Sequence, residues 1–244
     1  MRRPTTLAAL LLGFFSFTLL AGPASAARLQ ADLFQDVNPG PSGSYTEAFY
    51  PFGSGLFTSA QNGATGQEPS LVENGKLRLI SDIVPGLEPS DPGPGVELGG
   101  MFYFAAEDEA HGRELWRTDG TNTELVQDIN PGTANSNPNA LTAVNGRILF
   151  EATDSVHGAE LWQVSAGVAS LVMDIYPGNS GGDPSQLTVF QNKAYFSAYN
   201  ATDGNELWSS DGVTTSEVTN LAPLSSSSFP TALKAVGNTL YMAA

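Results

Sequence analysis

Two histidines of the chain stand in the same company, Asp108-x-x-His111-Gly112-x-Glu114 and Asp154-x-x-His157-Gly158-x-Glu160. A histidine beside carboxylates is the commonest general acid–base arrangement. Side-chain oxygens gathered around a glycine turn are also what a hard cation takes. A third segment, Asn200-Ala-Thr-Asp203-Gly204-Asn-Glu206, keeps the oxygens and lacks the imidazole. Calcium at Asp108, Asp154 and Asn200 is therefore the metal reading, although the oxygens fall short of the usual six to eight or so ligands. Zinc is a poor fit, because each histidine lies in a different segment without companions. All three segments continue into Glu-Leu-Trp, which makes Trp116, Trp162 and Trp208 candidates for stacking on sugar rings. Asp119-Gly120 and Asp211-Gly212 follow, and Asp-Gly is a strong hairpin-turn signal. No Ser/His/Asp order, phosphate-binding glycine loop or Cys/His cluster is present.

An active site is needed once, whereas this constellation recurs. Asp36, Asp82, Asp128, Asp174 and Asn220 are spaced 46 apart, and so are Ala60, Ala106, Ala152, Ala198 and Ala244. Gly66, Gly112, Gly158 and Gly204 keep the same phase. Self-similarity with a period of roughly 20–50 residues marks a repeat architecture. A residue that returns in every unit is more simply part of the unit, and Asp or His at a turn commonly bonds its own backbone. Asp203 and Thr65 stand where the other units have histidine, as expected of a replaceable turn residue.

The elements that must position these residues are short strands. In the third unit they read as Ala140–Val144, Arg147–Thr153, Ala159–Val164 and Ala169–Ile175, separated by Asn145-Gly146, by Asp154 to Gly158 and by Ser165-Ala166-Gly167. A Pro/Gly/Ser-rich connector follows each fourth strand, as in Asp128-Ile-Asn-Pro-Gly-Thr-Ala-Asn-Ser-Asn-Pro138. The fold class is all-β: a β-propeller-like array of four-stranded antiparallel blades with a 46-residue period, since a blade takes about 40–50 residues. The repeat domain covers 27–244, with units at about 38–83, 84–129, 130–175 and 176–221 and a partial one at 222–244. Leu33-Phe-Gln-Asp-Val37 matches Leu125-Val-Gln-Asp-Ile129, so 28–37 reads as a fourth strand completing that partial unit. The first unit is the most worn, with Glu68-Pro69-Ser70 in place of Glu-Leu-Trp.

Period-two alternation puts Glu114 and Trp116 on one strand face. A tryptophan packed between blades would leave that glutamate needing a partner such as a backbone N–H. Packing is the preferred reading for all three tryptophans.

Residues 1–26 read as a cleaved export signal: Arg2 and Arg3, an uncharged apolar run from Leu7 to Leu20, then Ala24-Ser25-Ala26. The chain carries a net charge of −15, which falls to −17 when the two arginines leave. Such acidity repels phosphate backbones and anionic membranes, so nucleic acid is excluded as a partner and no membrane insertion is expected after cleavage. With no cysteine, disulfides do not hold the exported protein together.

The run from Phe104 through Glu114-Leu115-Trp116-Arg117-Thr118-Asp119-Gly120-Thr121 closely resembles the bacterial ELWxxDGT repeat family. Glu206 to Gly212 fits apart from Val213, and Glu160-Leu161-Trp162 keeps only the first half. The resemblance implies an exported, propeller-like repeat protein and implies no activity.

The sequence thus reads as an exported, extracellular or cell-surface, non-catalytic interaction or structural module, with no cofactor required and an extracellular protein or glycan as partner. Every unit has the same length, so no inserted loop offers room for a unique active site. A lectin-like propeller with a pocket at each tryptophan is the alternative, and a glycan-cleaving enzyme the more distant one.

Overall fold

The computed structural model describes residues 43–44, 46, 48–222 and 227–244, and the backbone of Phe15–Leu20 and Arg28–Leu33. All regular structure among the described residues is strand, without a helix. By packing, the chain divides into two compact units, Met1–Pro92 and Gly93–Ala244, where the sequence reads as one repeat domain.

In the first unit, β1 (Phe15–Leu20) pairs antiparallel with β2 (Arg28–Leu33). A four-stranded antiparallel sheet follows: β3 (Tyr50–Phe52), β4 (Gly55–Asn62), β5 (Thr65–Glu73) and β6 (Lys76–Leu79), in chain order. β2 falls within the segment 28–37, and its described pairing is with β1. Residues 34–37, the basic start of the leader and Ala24-Ser25-Ala26 lie outside the described residues.

The second unit holds three four-stranded antiparallel sheets in chain order. They are β7 (Gly95–Leu98) to β10 (Thr123–Gln127), through β8 (Met101–Asp108) and β9 (Gly112–Thr118); β11 (Asn139–Val144), β12 (Arg147–Asp154), β13 (Gly158–Ser165) and β14 (Val168–Met173); and β15 (Ser185–Phe190), β16 (Lys193–Asn200), β17 (Gly204–Ser210) and β18 (Thr215–Thr219). A two-stranded sheet ends the chain, β19 (Thr231–Val236) with β20 (Thr239–Ala243). The strands of the third unit thus fall where alternation and turn residues put them.

Register repeats as closely as sequence. Phe104 faces Trp116, Phe150 faces Trp162, and Phe196 faces Trp208. In the second unit each fourth strand carries a bulge opposite Leu-Trp, between Leu125 and Gln127, at Leu161/Trp162 and at Leu207/Trp208. A bulge bends its strand, and here it turns the chain into the connector. Both faces of the β11–β14 sheet are packed. Phe150, Trp162 and Val164 meet Tyr103 and Leu115 of the preceding sheet. Leu149 and Leu161 meet Phe196 and Trp208 of the next. Burying each such side chain is worth about 1.5–3 kcal/mol, so the sheets hold each other as stacked, blade-like repeats.

The third unit departs from its neighbours at one turn. Where the others have Asp-Gly, Ala166 and Gly167 sit at φ 51° and 80°, like Asn145 and Gly146 at 51° and 71°. This two-residue turn requires left-handed backbone at both positions, and alanine there costs about 1–2 kcal/mol. The exposed Ala166 should therefore gain from asparagine. Ala166→Asn is expected to raise stability by about 1 kcal/mol, a rise of roughly 2–4 °C in melting temperature by calorimetry.

Candidate functional site

The turn joining the second and third strands is closed by its first residue. Asp108 Oδ1 accepts the backbone N–H of Ala110 at 2.9 Å and of His111 at 2.6 Å. Asp154 does the same for Val156 and His157, Asn200 for Thr202 and Asp203, and Asn62 for Ala64 and Thr65. The oxygens read from sequence as calcium ligands are thus pointed at their own backbone. Among the described residues no group of three or more His, Cys, Asp or Glu is placed to hold a metal ion.

The imidazoles complete this turn. His111 Nδ1 lies 2.8 Å from Asp108 Oδ2, and His157 Nδ1 lies 2.8 Å from Asp154 Oδ2. The hydrogen bond to the carboxylate raises each histidine above its ordinary value, and burial only partly opposes it. Burial alone would raise the aspartates; bonds from the histidine and the turn amides outweigh it, leaving both low. The histidine's contribution is therefore full below its ordinary value and is lost as pH rises through the raised one. That of the aspartate is full above its ordinary value and is lost as pH falls through the lowered one. In an NMR titration, His157 should titrate above 6.5, and Asp154→Asn should bring it back toward that value. An unchanged midpoint in the variant would mean that the pair does not form in solution.

Glycine then brings a second loop onto this turn. Gly112, Gly158 and Gly204 adopt φ of 68°, 73° and 83°. A Cβ on Gly158 would lie 2.5 Å from the Gly181 nitrogen and 2.7 Å from the Ser180 carbonyl carbon, both connector backbone. On Gly112 it would meet Asn135 Oδ1 at 2.5 Å.

What holds the connector there is the motif glutamate. Glu114 and Glu160 have no exposed surface, and neither do Glu206 and Glu68. Glu160 accepts the backbone N–H of Ile175 at 2.9 Å, Tyr176 at 2.9 Å and Gly182 at 2.8 Å. Glu114 takes those of Ile129, Asn130 and Ser136, and the Ser136 hydroxyl at 2.6 Å. Glu206 binds Leu221 and both donors of Ser228, and Glu68 binds Ile83 and both donors of Ser90. The partner demanded by the buried carboxylate is therefore the loop that leads out of the sheet. Burial pushes the carboxyls of Glu68, Glu114 and Glu160 up, and these bonds pull them part of the way back. Sequence reasoning missed Ser90, Ser136 and Ser228, whose only signal is a serine 22 residues after the glutamate in three of the four units.

Beyond the third strand, Asp119 Oδ1 accepts the N–H of Thr121 and Asn122, and Asp211 Oδ1 those of Val213 and Thr214. Gly120 and Gly212 supply φ of 88° and 84°. Trp162 and Trp208 retain 6% of their surface each, and Trp116 is half-buried. The sugar-stacking expectation is not met at Trp162 and Trp208, because the neighbouring sheet covers their rings. The site residues read from sequence are thus brought together in groups of one unit each: a capped turn, a clamp and a packed indole. The His–Asp pair is partly open to solvent, and the glutamate beside it is sealed off.

No family model matches the chain, and no curated protein does. Among solved structures, a chain from a study of two prolyl endopeptidases resembles it with a TM-score of 0.49 and 13% sequence identity. The likeness covers 84% of this chain and 33% of the other, so the chain spans about a third of that protein.

Proposed function

We propose that the chain is an exported repeat protein of the ELWxxDGT kind, whose sheets are blades of a propeller with a 46-residue period. It serves outside the cell or at its surface as a non-catalytic interaction or structural module. The observation that carries this reading is the fate of the motif carboxylates. Glu68, Glu114, Glu160 and Glu206, of which Glu114 and Glu160 stand beside a histidine in sequence, each spend their lone pairs on connector N–H groups. The turn aspartates are engaged in the same way. What recurs here builds the unit, and the motif carboxylates are engaged within it. The covered rings of Trp162 and Trp208 make the lectin-like alternative the weaker one.

The deciding experiment incubates the purified chain with a panel of polysaccharides and probes a glycan array in parallel. Absence of both turnover and binding is the expected outcome. Release of reducing ends would defeat the reading, and glycan hits abolished by Trp116→Ala would move it to the lectin.

A further inference from the structure

Phe229 stands in a place that folding alone would not give it. It lies 46 residues after Asp183, which follows Asn137 and Asp91 at the same spacing. All four positions have left-handed backbone, at φ 49°, 47°, 48° and 45°. Asparagine and aspartate enter that region readily, whereas a bulky side chain is strained in it. Burial is no compensation, because Phe229 is 64% exposed. Asn137 and Asp183 are exposed as well, each in a connector between two complete sheets, so the place faces solvent there too. Strained residues cluster at ligand-binding sites, where something other than packing keeps them.

Two further aromatic rings stand beside it. The N–H of Phe229 donates to the Asn205 carbonyl, and Asn205 is the cross-strand partner of Tyr199. Tyr199 is 39% exposed, and its ring lies 5.3 Å from that of Tyr176 at a tilt of 49°. The repeat does not supply this pair. The places of Tyr199 in the two preceding sheets hold Thr153 and Glu107, and those of Tyr176 hold Asn130 before it and Ala222 after.

The charge around the rings has one sign. Asp183 adjoins Gly182, whose carbonyl accepts the Tyr199 N–H. The Asn200 amide donates to Glu217 at 3.2 Å and the Asn220 amide to Asp203 at 2.9 Å, so neutral groups hold both carboxylates. Among the described residues, none of Asp174, Asp183, Asp203 and Glu217 takes part in an ion pair, and His157 on the preceding sheet is occupied by Asp154. From Val168 to Phe229 the single Lys or Arg is Lys193. It starts β16, about 20 Å along the strand from Tyr199.

We infer that Phe229, Tyr199 and Tyr176 form a docking surface for a basic polypeptide segment, whose arginine or lysine side chains lie on the rings and neutralise the carboxylates around them. Guanidinium and ammonium groups are attracted to aromatic faces, and uncompensated acids favour encounter with a cationic partner. An acidic segment would be repelled. This names the partner class of the interaction-module reading and rests on that reading.

The test titrates fluorescein-labelled octa-arginine with the full 244-residue chain and follows anisotropy. Saturable one-to-one binding is expected, and it should weaken as salt is added. Phe229→Asn and Tyr199→Ala remove no charge, yet each should weaken binding about tenfold. Glu109→Gln, which removes an exposed acid from the β8–β9 turn, should change it less than about twofold. Phe229→Asn should also raise the melting temperature by about 2–4 °C, because asparagine suits the left-handed backbone. Lack of saturable binding would overturn the inference. Binding unmoved by Phe229→Asn and Tyr199→Ala would do so as well, by reducing the effect to net charge. So would a lowered melting temperature for Phe229→Asn, or glycan-array hits lost on Tyr199→Ala. Each of these leaves the non-catalytic reading standing, whereas release of reducing ends from a polysaccharide defeats that reading and leaves the peptide titration unchanged.

Discussion

Glu160→Ala is expected to cost about 4 kcal/mol of folding stability, lowering the melting temperature by roughly 8–16 °C in a domain of this size. The change strands three buried donors, the N–H groups of Ile175, Tyr176 and Gly182, and each orphaned group costs about 1–3 kcal/mol. A void is left as well, since the side chain is fully covered. Glu160→Gln separates these effects. Its carbonyl can keep Tyr176 and Gly182, but its amide turns a donor toward the Ile175 N–H, so a loss of about 2 kcal/mol is expected. The folded-state carboxyl lies above its unfolded value because of burial, so stability falls as pH rises through that higher value. Glutamine cannot ionise and should remove this one step from the pH profile. Glu124→Gln, at an exposed position, is the control. If Glu160→Ala proved no worse than that control in a calorimetric melt, the clamp would have no energetic weight.

Gly158→Ala should be nearly as damaging, at about 3 kcal/mol, and a comparison within the same sheet shows why. Gly146 has almost the same backbone, φ 71° against 73°, but nothing lies within 4 Å of a Cβ added there. Gly146→Ala therefore measures only the penalty for a left-handed alanine, about 1–2 kcal/mol. Gly158→Ala adds a collision with connector backbone at 2.5 Å, which cannot be relieved by rotating a side chain. The connector must lift, and that pulls Gly182 from Glu160. Urea titration of the two variants should give midpoints well apart, with Gly158→Ala lower. Equal midpoints would show that the close approach is absent in solution.

The strands were legible because alternation, Asn-Gly and Asp-Gly turns and proline-bounded connectors all agree on them. The turn caps were legible for a related reason: Asp108, Asp154 and Asn200 bond amides only two and three residues away, within the span of a local motif. The clamp was legible only as a need. A buried glutamate beside a packed tryptophan must find donors, but backbone N–H groups 15 to 22 residues on leave no letter in the sequence. The serine that supplements them leaves a weak trace, broken at Gly182. For the tryptophans, alternation assigns a face, and only the neighbouring sheet determines whether that face is wet.

The clamp also fixes where the array can be cut. A polypeptide ended after Met173 would include all four strands of the third sheet, yet Glu160 would have lost every donor it has, since Ile175, Tyr176 and Gly182 all lie downstream. Ended after Asp183, the same polypeptide keeps them all. The transferable module is thus a sheet plus the leader of its successor, so grafts, deletions and duplications of this repeat should be phased from connector to connector, with their seams placed beyond the clamped loop.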